Sequence, residues 1–177
     1  MELESFKNYH QGETAAILGG GVTLPSDLRK IDPVDVLIGI NNHSMILDLD
    51  YLVFMDAMFL DVISDLDDVV FITKKHKMPG KKLIQAGIAP PVGYSGLLAI
   101  WVADYMGFAR IDVCGMDQYQ ERKGGRQYWW EGPMGTATSP SKAYKSTLDP
   151  LKSFLDEKLQ HPERVFFTSG RLKEIHQ

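Results

Sequence analysis

Residues 15–31 read AAILGGGVTLPSDLRKI. A short apolar run, a triple glycine (Gly19, Gly20, Gly21) and a stretch of helical spacing make the strand–turn–helix opening of an α/β unit. Thr23 is placed as the helix N-cap, with Pro25 and Asp27 in the first turn. Three glycines exceed what a turn requires, and they let a main chain approach a ligand closely. A helix N-terminus at that point offers unpaired N–H groups and a positive dipole end, which suit phosphate.

The alternation continues along the chain. Apolar runs at 14–19, 34–40, 50–56, 69–73, 110–117 and 164–169 read as strands. Helical patterns fall at 23–31, 57–66, 93–107 and 139–160, with Gly107 as a C-terminal stop and Pro150 as a break or kink. Strands of near-continuous Val, Ile and Leu are covered on both faces, which in company with alternating helices means a parallel sheet. The expected fold is therefore α/β, Rossmann-like and doubly wound, as one domain over 1–177. Residues 118–140, rich in Gly, aromatic and basic side chains, read as an irregular lid inserted at the sheet edge.

Composition narrows the function classes. The 177 residues carry a net charge of −4, so no basic surplus supports general binding to a nucleic-acid backbone. Cys114 is the only cysteine, which excludes an internal disulfide and a cysteine-built zinc site. The polar N-terminus lacks the layout of a secretory signal, and no apolar run has the length of a membrane span. A cytoplasmic protein is expected.

In open parallel sheets, ligands sit at the carboxyl ends of the strands, where the strand order reverses. Gly19–Gly21, Asn41 and Asn42, Asp56, and Gly115-Met116-Asp117 all fall at expected strand ends. Asn supplies both donor and acceptor for a base or sugar; ionised Asp supplies only acceptors, for ribose hydroxyls or as a general base. Ser95 and Gly96 open the most apolar helix and offer a second such N-terminus. The loop departs from a dinucleotide fingerprint, since Leu24 stands at its third glycine and Asn41-Asn42 replace the ribose-binding acid; no lysine completes a Walker loop.

AILGGGVTL, VLIGINNH and YLVFMD, followed by YSGLLAIWVADYMGFARIDVCGMD, resemble the bacterial CMP-sialic acid-dependent sialyltransferase superfamily. That group includes motility-accessory-factor proteins and short phage-encoded relatives. Order and spacing agree over about residues 14–117, and ERVFFTSGRLKEI is similar to the group's closing strand. A pterin pyrophosphokinase-like branch shares the loop. The resemblance implies a cytidine-type (CMP) nucleotide-sugar donor and no obligatory metal. It implies that Gly19 to Thr23 cradle phosphate and that Asn41 or Asn42 meets the nucleotide. Ser95-Gly96 would lie near the sugar, and Asp117 near base or ribose.

The chain also departs from the pattern. Gly20-Gly21-Val22-Thr23 replaces the group's Asn-Gly-Pro-Ser core, and 118–140 lacks the lid histidine that serves as base. Tyr119, Arg122, Arg126 and Tyr128 are the lid residues able to hold phosphate, and Asp56, Asp117 and His43 are the candidate bases. His76 lies in the basic run KKHKMPGKK, read first as a solvated face. Asp48 and Asp50, and Asp65 to Asp68, precede strands and read as turns, away from the cleft.

The function expected is a glycosyltransferase-like enzyme on a cytidine nucleotide donor. The alternatives are a non-catalytic nucleotide-binding module, a phage accessory protein with a decayed cleft, and a pterin pyrophosphokinase-like transferase. The acceptor and the oligomeric state, a homo-oligomer included, stay open.

Overall fold

The computed structural model describes residues 1–42, 47–63, 65–116, 148–169 and 173. The whole of the expected lid, 118–140, lies outside them, as do His43 and Asp117. Among the described residues the strands are β1 (Thr14–Leu18), β2 (Val36–Ile40), β3 (Tyr51–Val53), β4 (Val70–Thr73), β5 (Leu83–Gln85), β6 (Arg110–Cys114) and β7 (Val165–Phe167). They form one seven-stranded sheet in the order β5-β4-β3-β2-β1-β6-β7, and every pair is parallel. The chain winds outward from β1 to β5 and then crosses back to lay β6 on the other side of β1. The strand order therefore reverses between β1 and β6, as in a doubly wound Rossmann-like fold.

The strands are apolar because both faces are covered. One face carries the long helix α3 (Ser95–Met106), which is buried on nearly every side. Such a helix needs cover all round. The sheet lies under it, Phe154 and Leu155 of α4 (Leu148–Lys158) and Leu159 just after it share its core, and the N-terminal segment closes over its end. Asn8 and His10 donate their amides to the carbonyls of Tyr105 and Met106, and Gly107, in the left-handed conformation, ends the helix. The opposite face is packed by α1 (Leu24–Asp27) and α2 (Leu60–Ile63), each a single turn.

Several local expectations are revised. The helix expected over 23–31 shrinks to Leu24–Asp27, and that over 57–66 to a 3-10 turn at Ala57–Phe59 followed by Leu60–Ile63. β5 was not expected; Leu83 and Ile84 are its whole apolar signal. Thr23 makes no side-chain cap bond and has helical φ and ψ. Pro150 is the third residue of the described helix α4, and residues 139–147 of the expected helix lie outside the described residues. No described helix is long and apolar enough to cross a membrane.

Candidate functional site

Because all strands run the same way, Gly19, Asn41, Asp56 and Gly115 share the carboxyl edge, as the sequence reading expects. At the reversal point the exits of β1 and β6 are zipped together. Gly19 N–H donates to the Cys114 carbonyl at 2.8 Å, and Gly21 N–H to the Gly115 carbonyl at 2.7 Å. A Cβ on Gly19 would run into the Gly115 carbonyl oxygen. Gly115 itself has φ +63°, and a Cβ there would lie 2.8 Å from Leu24 Cβ. The glycines thus let two strand exits touch. Two of the three amides in 19–21 are taken by this pairing, and Gly20 is the one outside it.

The other edge residues close on the same point. Ser95 is buried as the first residue of α3, after Tyr94 at the N-cap. A Cβ on Gly96 would lie 2.5 Å from Met116 Cε and 3.6 Å from Ile40 Cδ1. The N-terminus of α3 is thereby packed against the exits of both β6 and β2. Asn41 follows directly, with φ +53°, its N–H donated to the Val53 carbonyl at 2.9 Å. Asn tolerates this left-handed backbone better than most residues. The side chain is only 9% exposed, and among the described residues Asn41 Oδ1 has no hydrogen-bond partner. A buried acceptor left unpaired costs about 1–3 kcal/mol. Asn42 beside it is half-buried.

The register carries this row across the sheet. Ile40 pairs with Val53 and Val53 with Ile72, so Asn41, Phe54 and Thr73 stand side by side one residue further on. Thr73 Oγ1 is also buried without a partner among the described residues. Asp56 is exposed at the start of the 57–59 turn, and its carboxylate caps nothing. Beyond β4, His76 lies with its ring stacked on Phe54, centroids 5.6 Å apart, and Nε2 2.6 Å from the Met55 carbonyl oxygen. Lys74 gives its ammonium to the carbonyls of Ala89 and Pro90 at 2.8 and 2.9 Å. The basic run is thus partly spent on holding its own loops, rather than being only a solvated face.

Asp27 was read only as a first-turn acid. It is fully buried in α1 and accepts from Gly115 N–H at 3.0 Å, Ser169 Oγ at 2.5 Å and Lys30 Nζ at 3.0 Å. Ser169 Oγ also lies 2.9 Å from Thr23 Oγ1. Burial pushes the Asp27 carboxyl up, but the bonds from Ser169, Gly115, Lys30 and Thr23 together outweigh it and hold it below the ordinary value. One carboxylate therefore ties α1 to the exits of β6 and β7, directly under the glycine pairing. Cys114 beside it is buried, and burial pushes its thiol up to about 11, which removes it as a nucleophile at neutral pH.

The amino edge holds a separate cluster. His10 bridges Glu13 and Tyr51 and stacks on Phe108; burial, with the charges of Tyr9, Asp50 and Glu13, pushes the Tyr51 hydroxyl up to about 12. Asp50 accepts from Leu37 N–H at 2.8 Å, and Asp67 pairs with Lys81 at 2.8 Å, so these acids serve turns away from the carboxyl edge. His43, Asp117, Tyr119, Arg122, Arg126 and Tyr128 lie outside the described residues. A scan against protein-family models gives no match for the chain, and no curated protein matches its sequence.

Proposed function

We propose that the chain binds a nucleotide or nucleotide-sugar at the carboxyl edge beside the β1–β6 reversal, and acts there as a glycosyltransferase-like enzyme on a cytidine-type donor. The observation that carries the reading is Asn41 Oδ1, a buried acceptor without a partner among the described residues, at the edge where open parallel sheets hold their ligands. An amino group or hydroxyl of a bound base or sugar satisfies that acceptor and offsets its burial cost. The sequence resemblance supplies the cytidine donor. One observation favours the non-catalytic module as second reading: the amides of Gly19 and Gly21 are already bonded within the chain, which leaves little of the phosphate cradle.

The test is a thermal-shift screen of CMP, CDP, the other nucleoside mono- and diphosphates and their sugar conjugates. A native-state ligand at 100 times its Kd stabilises by about 2.7 kcal/mol. A clear rise with cytidine forms, lost in Asn41→Ala, supports the reading. No shift with any nucleotide refutes it. Recovery of a bound nucleotide-sugar unchanged, with no turnover for any acceptor, selects the module.

A further inference from the structure

His76 is the described histidine at the carboxyl edge, and its surroundings fix its chemistry. Nε2 lies 2.6 Å from the Met55 carbonyl oxygen. A carbonyl oxygen only accepts, so the proton of the neutral ring is on Nε2. Nδ1 is then the basic nitrogen, and it has no hydrogen-bond partner among the described residues. Three contacts immobilise the residue: the Met55 carbonyl, the face of Phe54, and the Gln85 side chain, which donates to the His76 carbonyl at 2.9 Å. A half-buried imidazole of fixed tautomer, whose Nδ1 has no partner among the described residues, can serve as a general base.

Its position fits that role. Phe54, under the ring, neighbours Asn41 in the cross-strand row. The step from the β1 exit to the β3 exit covers two strand spacings, roughly 10 Å. A nucleotide seated at the β1–β6 reversal and lying along the edge past Asn41 brings its far end toward His76. The charged residues adjacent in sequence are Asp56, next to Met55, and Lys74, Lys75 and Lys77 on the segment of His76 itself; Lys74 is turned to the 89–90 carbonyls.

We propose that His76 is the general base of this crevice; the inference rests on the nucleotide-donor reading above. Nδ1 takes the proton of an acceptor hydroxyl as that oxygen forms its bond to the sugar's anomeric carbon. The bond from that carbon to the donor phosphate breaks, and the nucleotide leaves with the electron pair. The imidazolium then returns its proton to water.

The experiment has three measurements on the full chain. Nitrogen-15 NMR of the histidine rings reads the tautomer of the neutral ring in the free protein, with a protonated Nε2 and a bare Nδ1 expected. Turnover of the CMP- and CDP-sugar panel is compared between wild type and His76→Gln, whose amide can still donate to the Met55 carbonyl but has no basic nitrogen. A loss of about 10²–10⁴-fold in turnover is expected, with the nucleotide thermal shift retained. His76→Gly is then assayed with added imidazoles of graded basicity, which are expected to restore turnover in order of basicity. A proton on Nδ1, or a Gln variant within threefold of wild type, overturns the inference and leaves the nucleotide reading intact. Nucleotide binding without turnover of any donor also overturns it, in favour of the module. Failure of every nucleotide to stabilise the wild type refutes the underlying reading, and a bare Nδ1 in that case marks a loop-holding histidine.

Discussion

Replacing Asp27 by Ala should destabilise the fold by about 2–5 kcal/mol. The figure is built from its partners. Gly115 N–H and Ser169 Oγ lose an ionised acceptor at 3.0 and 2.5 Å, in a place where Asp27 itself has no exposed surface. The buried Gly115 N–H left unpaired costs about 1–3 kcal/mol, and loss of the charge-assisted bond from half-buried Ser169, whose hydroxyl keeps Thr23 Oγ1 as a partner, adds roughly 1–2 kcal/mol. Lys30 adds little, since its side chain is about half exposed and solvent screens the pair. For a chain of this length each kcal/mol is worth roughly 2–4 °C, so the melting temperature should fall by on the order of 5–15 °C. Asp27→Asn keeps an acceptor for Gly115 and lets the Ser169 hydroxyl turn, so its cost at pH 7 should be smaller, about 1–2 kcal/mol. The sign with pH follows from the depressed carboxyl. Its stabilisation is fully present above the unfolded value near 3.8 and is lost as pH falls through the lower folded value. The gap between wild type and Asp27→Asn should stay level from pH 7 to about pH 5 and close only below about pH 4. Urea titrations of the three proteins at pH 7, 5 and 3.5 decide it. An Ala variant within about 0.5 kcal/mol of wild type would refute the reasoning, and so would a wild type–Asn gap that does not change with acid.

Gly19→Ala should be among the most damaging single methyl additions in the chain, because the new carbon meets a backbone carbonyl that cannot turn aside; expression yield and melting temperature against Gly12→Ala, where open space surrounds the site, would measure it. Gly12 has a positive φ of its own, so that control carries backbone strain without a clash. Cys114, pushed up to about 11 and buried, should resist iodoacetamide at pH 8 in the native protein and react readily in urea. Alkylation that proceeds at equal speed without denaturant would contradict its burial at the end of β6.

The sheet was legible because burial on both faces leaves no room for polar alternation. Six of the strands fall within runs such as TAAIL and VLIGI, and the cause is the cover of α3 on one side and of α1 and α2 on the other. β5 escaped because a three-residue strand has too few positions for a pattern and sits between a lysine run and a turn. Asp27 was legible only as a residue type. Its partners stand 88 and 142 positions away, and no local pattern reports such a meeting. His76 was hidden differently: the five lysines of its run drew the eye to charge, while its contacts depend on β3 and β5 lying beside β4.

The glycine cluster carries the main lesson for the site. A run of three glycines before a helix invites a phosphate, yet here it first serves a contact between two strand exits. The pairing of Gly19 and Gly21 with the 114–115 carbonyls consumes donors that a phosphate would use, and Asp27 holds Gly115 in place from below. On the proposed reading, recognition then has to come from side chains further along the edge, where Asn41 and Thr73 have buried oxygens without partners among the described residues. That shifts the expected energetics of binding from backbone–phosphate contacts toward hydrogen bonds with neutral groups. Such binding should depend only weakly on salt, because few charges are brought together. A steep loss of nucleotide affinity between low and physiological salt would instead return the weight to the phosphate and to cationic residues.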